Sequence, residues 1–350
     1  MKKLFFIAAI AGAALVSCTK NELAPSVTEQ EEISFAAPVV GAQTKVYGAI
    51  GATYDTDESF DVWSIWHETA LGTGTWAGTP YITDKTAKYV GAKGGWAFDP
   101  AYYWPADGYL SFVALSPSLT ATTTYDATNG FKITAWSQGA DEETIVDLMY
   151  SNESRDHQKA TYKEGDNAGE DAAYTYKGVD IMFNHALSYL VFKIKTLEDY
   201  SGTTDFRLNK ITLSDIYTTG DFIQKPTSPV KNWTVDTSDP AKVGEYVAYD
   251  GELSFASGSV PVPETANKQI ILLPQTLADG KQKLIIDYEI KTGDSAWIGQ
   301  TQEIDLEDGT IKAWEMGKKY TYTISISMTE IILDPAVAAW EEISGGGISF

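Results

Sequence analysis

Tyr320-Thr321-Tyr322-Thr323-Ile324-Ser325-Ile326-Ser327-Met328 is the stretch whose reading decides the fold class of this chain. Its large residues fall on even positions and its hydroxyl residues mostly on odd ones. A period of two sets one row against a core and the other against water, the pattern of a half-buried strand. Tyr189-Leu190-Val191-Phe192-Lys193-Ile194-Lys195 behaves in the same way, with Leu190, Phe192 and Ile194 on one side and Lys193 and Lys195 on the other. Residues 269–273 are a near-continuous apolar run stopped by Pro274, and residues 284–290 predict another strand. In the first half, residues 60–66, 109–115 and 131–136 are strand candidates. Turn pairs recur between such runs: Asp107-Gly108, Asn129-Gly130, Asp279-Gly280. Many short strands with regular turn signals favour sandwiches over a βα architecture. Residues 141–146 predict one helical turn. Residues 155–173 are polar, charged and Gly-containing, and predict an exposed loop ahead of a strand starting near Val179.

Composition agrees with a strand-rich exterior protein. The 350 residues include 20 Tyr and 10 Trp, and the formal net charge is −22. An acidic surface repels phosphate backbones, so no nucleic-acid partner is expected. Beyond the leader about 330 residues remain, room for two domains on the usual size prior.

The N-terminus carries a targeting signal. Lys2 and Lys3 precede an uncharged apolar run at residues 4–16, too short to cross a hydrocarbon core of roughly 30 Å. It reads as a secretory signal over residues 1–17. The run ends in Leu15-Val16-Ser17-Cys18, which resembles the bacterial lipobox and implies a diacylglyceryl thioether on Cys18 with cleavage before it. Cys18 is the only cysteine, so it has no partner for an intramolecular disulfide. Several acyl chains together give stable anchoring, where one would not. Residues 18–31 are polar and predict a flexible lipidated tether.

Catalytic and metal-binding constellations are not evident. The three histidines, His67, His157 and His185, lack cysteine partners and metal-ligand spacing, so no zinc site is expected. There is no Gly-x-Ser-x-Gly elbow and no phosphate-binding glycine loop. Asp55-Thr56-Asp57-Glu58 and Asp166-Asn167-Ala168-Gly169-Glu170-Asp171 cluster oxygens that calcium could use, but neither matches a known calcium loop and solvated turns are the favoured reading. No catalytic residue, cofactor or metal is assigned. Trp63, Trp66, Trp76, Trp96 and Trp104 crowd the first half; aromatic faces stack on sugars, and they also fill sandwich cores.

Five segments together resemble the fimbrillin family of Bacteroidales, precursors of type V pili. Tyr103-Trp104-Pro105 with residues 109–114 is similar to its aromatic-Trp-Pro turn and following strand. Phe183-Asn184-His185-Ala186-Leu187 resembles its Phe-x-His-x-Leu segment, and Leu273-Pro274-Gln275 its Leu-Pro-Gln element. Trp314-Glu315-Met316-Gly317 before Tyr320 resembles its Trp-x-x-Gly lead-in to a late strand, and Trp340 its near-terminal Trp. The resemblance implies an all-β chain of two tandem transthyretin-like β-sandwich domains after a lipoprotein signal peptide, here residues 32–178 and 179–350. It implies a structural subunit of a cell-surface pilus, not an enzyme, with adhesion as its role and other pilus subunits as partners. A processing protease would remove the N-terminal segment, and a C-terminal strand of a neighbour would fill the vacated groove by β-augmentation. The removable strand would be Ile33-Ser34-Phe35-Ala36-Ala37, with Ile33 and Phe35 inward. The family's usual cleavage residue is arginine; the only arginines are Arg155 and Arg207, far downstream, so the expectation is a Lys-directed cut at Lys45-Val46, the other reading being an anchor-like or tip-like subunit that keeps its first strand. The donor candidate is residues 329–333, extended past Pro335 to Trp340, with pairing inside its own domain as the other reading. Location would be the outer membrane through lipid, the cell surface and the fimbrium, with a host or bacterial surface ligand as a further partner. The alternative function is a glycan-binding surface lipoprotein of the outer membrane.

Overall fold

The computed structural model describes residues 31–41, 52–91, 95–119, 123–139, 144–159, 178–225, 232–238, 242–262, 270–307 and 309–340. The first half supplies β1 (Ser34–Phe35), β2 (Val39–Val40), β3 (Ala52–Thr53), β4 (Ser59–His67), β5 (Thr79–Tyr89), β6 (Trp96–Phe98), β7 (Tyr109–Ser116), β8 (Thr123–Asp126), β9 (Gly130–Ser137), β10 (Met149–Ser151), β11 (Ser154–His157) and β12 (Met182–His185). The second half supplies β13 (Ser188–Thr196), β14 (Thr204–Tyr217), β15 (Thr219–Ile223), β16 (Trp233–Val235), β17 (Val243–Phe255), β18 (Val260–Pro261), β19 (Ile270–Leu272) and β20 (Gln275–Thr276). It continues with β21 (Lys283–Thr292), β22 (Ile298–Asp305), β23 (Ala313–Trp314), β24 (Lys318–Ile326) and β25 (Ile331–Ala339). No helix occurs among the described residues. The chain is all-β, and the expected strands sit within a residue or two of where periodicity put them, although β24 stops at Ile326 rather than Met328.

A large sheet in the order β1-β6-β5-β4-β7-β10-β12-β2-β3 forms the first half. Its inner face is an aromatic core around Phe35, Phe60, Phe98, Phe112 and Phe183. The second half packs the sheet β18-β13-β24-β25 against the sheet β17-β14-β21-β22. The decisive alternation works as read: Tyr320, Tyr322, Ile324 and Ile326 of β24 and Leu190, Phe192 and Ile194 of β13 all enter one core. β13 and β24 run parallel, in register from Tyr189↔Lys319 to Thr196↔Ile326.

The two halves also share structure. β9 of the first half pairs with β15 of the second, in the sheet β16-β15-β9-β8. A third core lies beneath it, with Trp63, Val113 and Leu115 from β4 and β7 facing Phe222, Trp233, Ile271 and Leu273. β7 is therefore covered on both faces, and this is why residues 110–116 are buried without alternation. The chain passes from the first core to the second through Ala186 and Leu187, both fully buried.

Two expectations need correction. The helical turn at residues 141–146 does not form over 144–146, which run as turn and coil; residues 141–143 lie outside the described residues. The loop expected from residue 155 begins instead as β11 on the edge of β7. Asp156 there adopts a left-handed φ of 61°, and its two carboxylate oxygens accept the Leu71 and Gly72 N–H at 2.7 and 2.8 Å. Long-range side-chain bonding thus holds a polar segment in a strand that its composition does not announce.

Candidate functional site

The first ribbon, residues 31–41, is bonded along both sides. On one side Ser34 and Phe35 pair antiparallel with Ala97 and Trp96 of β6. Ile33 N–H donates to Tyr102 O at 2.8 Å, and Glu31 O accepts from Trp104 N at 3.0 Å. On the other side the ribbon runs parallel to residues 179–183. Val179 N donates to Ser34 O at 2.8 Å, Ala36 N to Val179 O at 3.0 Å and Val39 N to Ile181 O at 3.0 Å. β2 then pairs with β12 through Val39↔Met182 and Val40↔Phe183. Because β1 and β2 meet opposite ends of the same sheet, this ribbon closes it.

The ribbon's side chains are core. Ile33 and Phe35 face inward, at 1% and 0% exposure. The Phe35 ring meets Phe60, Phe98 and Phe112 edge-on, with centroids 5.5, 5.5 and 5.7 Å apart. Edge-to-face geometry sets positive ring rims against negative faces and adds to burial. Gly178 makes the close fit possible, since a Cβ there would stand 2.5 Å from Ala36 N. Trp104, of the aromatic-Trp-Pro turn, is buried beside Phe112 at 5.9 Å; Pro105 after it is half-buried.

The last ribbon is held differently. β25 pairs antiparallel with β24 over nine residues, from Lys318↔Ala339 to Ile326↔Ile331, straight through Pro335. It is the outer strand of its sheet, and among the described residues no strand pairs with its other edge. Ile331 and Leu333 lean on the core, whereas Ile332 is 42% and Val337 52% exposed. Its firm attachment is Trp340, buried and stacked on His185 with centroids 3.7 Å apart and on Tyr189 at 5.3 Å.

Four of the five recognised segments meet around that attachment. His185 Nδ1 donates to the Asp147 carboxylate at 2.9 Å, while its buried Nε2 has no partner among the described residues. Gly317, at φ 67°, donates its N–H to Leu187 O at 2.9 Å and accepts from Trp340 N at 3.0 Å. Gln275 and Trp314 pair across β20 and β23. The Gln275 amide serves as a piece of strand: Oε1 accepts from Tyr217 N at 3.1 Å, and Nε2 donates to Tyr217 O at 3.2 Å and Leu273 O at 3.1 Å. Pro274, which cannot donate, is buried directly before it. Trp314 Nε1 donates to the Tyr322 hydroxyl at 2.8 Å. Phe183, two residues ahead of His185 in β12, belongs instead to the first core, stacked on Tyr54 at 5.5 Å.

A charged cluster crosses the joint between the halves. Glu153 accepts from Arg155 Nε at 2.8 Å and from Lys225, which follows β15. Burial pushes the Glu153 carboxyl up, but hydrogen bonds and charge from Lys225 and Arg155 outweigh it and hold the group below its ordinary 4.5. Burial also raises Tyr54, whose hydroxyl is shared with Ser116 at 2.7 Å. The Glu153–Lys225 pair and Gly178 carry no local sequence signal, because their partners lie far away along the chain.

Other candidate residues fall elsewhere. Trp63, Trp76, Trp96 and Trp104 are buried, so they present no free ring face; Trp66 is half-buried, its Nε1 on Asp107 O at 3.0 Å. His67 is buried, with Nδ1 on Thr69 O and Nε2 on the Ser111 hydroxyl, both at 2.9 Å. His157, in β11, shares a 2.7 Å hydrogen bond with Ser154. At residues 55–58, Asp57 N donates to Asp55 Oδ1 at 3.0 Å, an ordinary Asx turn. Among the described residues no three His, Cys, Asp or Glu side chains gather as metal ligands. Cys18, Lys45, Val46 and residues 166–171 lie outside the described residues. No helix among the described residues is long and apolar enough to cross a membrane.

Comparison with known proteins places these features in a family. The fimbrillin-like family model matches residues 44–340. A fimbrial protein from Bacteroides vulgatus has a similar structure, with a TM-score of 0.57, 16% identity, and coverage of 88% of this chain and 99% of that one. A candidate cell adhesion protein from Bacteroides ovatus superposes with a TM-score of 0.50 at 14% identity, covering 90% of this chain and 99% of that one. At such identities the likeness establishes a shared fold. Comparison with curated proteins finds no match.

Proposed function

Because the chain belongs to the fimbrillin-like family, we propose that it is a subunit of a cell-surface fimbrium, joined to its neighbours by exchange of terminal ribbons. The family is one of fimbrial and adhesion proteins rather than of enzymes. The observation that carries the exchange reading is the first ribbon's double-sided bonding around Phe35. Removing residues 1–45 would leave two facing rows of backbone donors and acceptors and an aromatic slot lined by Phe60, Phe98 and Phe112. Such an opening demands an extended, apolar replacement. The last ribbon is the donor in this reading: extended, alternating, and attached on one side only.

Several further parts belong to the same proposal. Acyl chains on Cys18 hold the precursor in the outer membrane. A protease cuts between Lys45 and Val46. The two main cores act as separate sandwich domains over residues 32–178 and 179–350, bridged by the third. Adhesion uses a host or bacterial surface ligand.

The test compares the full chain with a chain beginning at Val46. Polymer ladders resistant to mild denaturant are expected from the shortened chain alone, and lost again when residues 329–350 are deleted. Equal polymerisation of both chains, or none by either, overturns the exchange reading.

A further inference from the structure

Ile33-Ser34-Phe35, the tripeptide at the centre of the first ribbon, occurs once more in the sequence, as Ile348-Ser349-Phe350. Gly345-Gly346-Gly347 stands directly before the second occurrence. A cut after Lys45 removes the first and leaves the second. The slot around the first shows what a replacement must supply. Ile33 and Phe35 are buried in the core with Phe60, Phe98 and Phe112, whereas Glu31, Glu32 and Ser34 are half-buried. The backbone supplies the rest: Glu31 O accepts from Trp104 N, Ile33 N donates to Tyr102 O, and Ser34 O accepts from Val179 N. β25 holds no aromatic residue for the place of Phe35, and Trp340 after it is already stacked on His185.

We infer that Ile348-Ser349-Phe350 of one chain is the segment that seats in the vacated slot of a second copy, with Ile348 in the place of Ile33, Ser349 of Ser34 and Phe350 of Phe35. The inference rests on the exchange reading above and names the residues of the donor that do the filling. The match holds position by position: a branched aliphatic side chain, a small hydroxyl, and a ring to meet three others edge-on. An extended segment in the same direction also offers Gly346 O to Trp104 N and Ile348 N–H to Tyr102 O. Those two contacts use main-chain atoms alone, so glycines suffice in the places of Glu31 and Glu32. A rival register exists, because Glu341-Glu342-Ile343-Ser344 repeats Glu31-Glu32-Ile33-Ser34 over four residues. It sets Gly345 in the place of Phe35 and leaves a void among three rings, which is costly. In return it matches only the half-buried glutamates, so the shorter repeat wins. Beyond the buried Trp340, residues 341–350 span about 33 Å when extended, length enough to leave the body of their own chain with that stack in place.

The register is testable, because Ser34 pairs with Ala97 of β6. Opposed residues of an antiparallel pair have Cα atoms about 4.5–5.5 Å apart, within disulfide reach. The full chain carrying Cys18→Ser receives a recognition sequence for a sequence-specific protease after Lys45. One preparation adds Ser349→Cys and a second adds Ala97→Cys. They are mixed, cut, held in mild denaturant so that the first ribbon can leave, and oxidised. Seating raises the local thiol concentration, so these two chains should join at least about tenfold faster than a control pair with Ser344→Cys in place of Ser349→Cys. Uncut mixtures should not join. Phe350→Ser should lower the yield of polymer ladders from cut chain at least about tenfold while the uncut chain melts as before, and Phe350→Tyr should retain them. A synthetic peptide of residues 341–350, added to cut chain without cysteine substitutions, should cap the ladders and shorten them; the same peptide with Phe350→Ser should not. Ladders that persist with Phe350→Ser, a faster link from Ser344→Cys, or equal capping by both peptides would overturn the inference and leave the exchange reading standing. A link formed only when both cysteines lie in one chain would assign the segment to its own slot and overturn the second copy as partner. No ladder from any cut chain would overturn both readings. The peptide comparison needs no substitution in the folded body, so it decides even where a cysteine variant fails to fold.

Discussion

The first and last ribbons are both strands at the margins of sheets, yet they are attached by opposite means. Residues 31–41 are bonded on two sides, and Phe35 stands among three aromatic rings with no exposure. β25 is bonded on one side over nine residues, with exposed Ile332 and Val337 and one buried end residue, Trp340. The first is held chiefly by packing, the second chiefly by backbone pairing, with Ile331 and Leu333 leaning on the core and Trp340 as an end latch. Ladder bonds exchange for water at little net cost, whereas a vacated aromatic slot has no such replacement. Spontaneous loosening is therefore far easier at the C-terminal ribbon than at the N-terminal one.

The sharpest way to break this contrast is Phe35→Ala. Emptying a slot between three rings should cost about 3–5 kcal/mol, read as a fall in the midpoint of denaturant unfolding. A loss under about 1 kcal/mol would mean the first ribbon is no better seated than the last. Trp340→Ala should cost less, about 2 kcal/mol, because a terminal strand can readjust locally. Its effect should appear as faster hydrogen exchange across residues 331–339, with exchange at residues 33–40 unchanged; equal acceleration at both ends would show the ribbons to be coupled.

Acid should act between the ribbons, at the joint. The Glu153 carboxyl sits below its ordinary 4.5 when folded, so its contribution is complete above that value and is lost as pH falls through the folded value. A partly exposed cluster of this kind is worth about 1 kcal/mol at most. The melting temperature of the full chain should drop below pH 4.5 by more than that of Glu153→Gln; parallel curves would remove Glu153 from the account. The smallest effect is expected from Val337→Ser on the exposed part of β25, within about 0.5 kcal/mol by thermal melting, against a loss several times larger for Ile33→Ser in the first ribbon.

How much of this is legible in the sequence depends on whether the signal is local. Period-two runs at residues 189–195 and 320–326 mark half-buried strands directly, and Ile33 and Phe35 alternate as an inward pair should. Pairing across distance leaves no such trace. Nothing in residues 130–137 points to β15 as a partner, and nothing in Glu153 points to Lys225. Tryptophan content cannot separate a sugar platform from a core, and here burial of Trp63, Trp76, Trp96 and Trp104 favours the core. The polar appearance of Ser154 and Asp156 conceals β11, because hydrogen bonds to Asp156 do the work that apolar alternation does elsewhere. Motif order proved more informative than any one motif, since segments spread along the second half converge on Trp340.

The parallel match of β13 with β24 bears on how such a chain becomes native at all. Its partners stand at opposite ends of the second half, so the centre of that core is among the last contacts available to a chain delivered N-terminus first. Leu190, Phe192 and Ile194 must wait, bare, until Tyr320 to Ile326 arrive. Non-local parallel pairing of this kind is slow to form and leaves sticky intermediates.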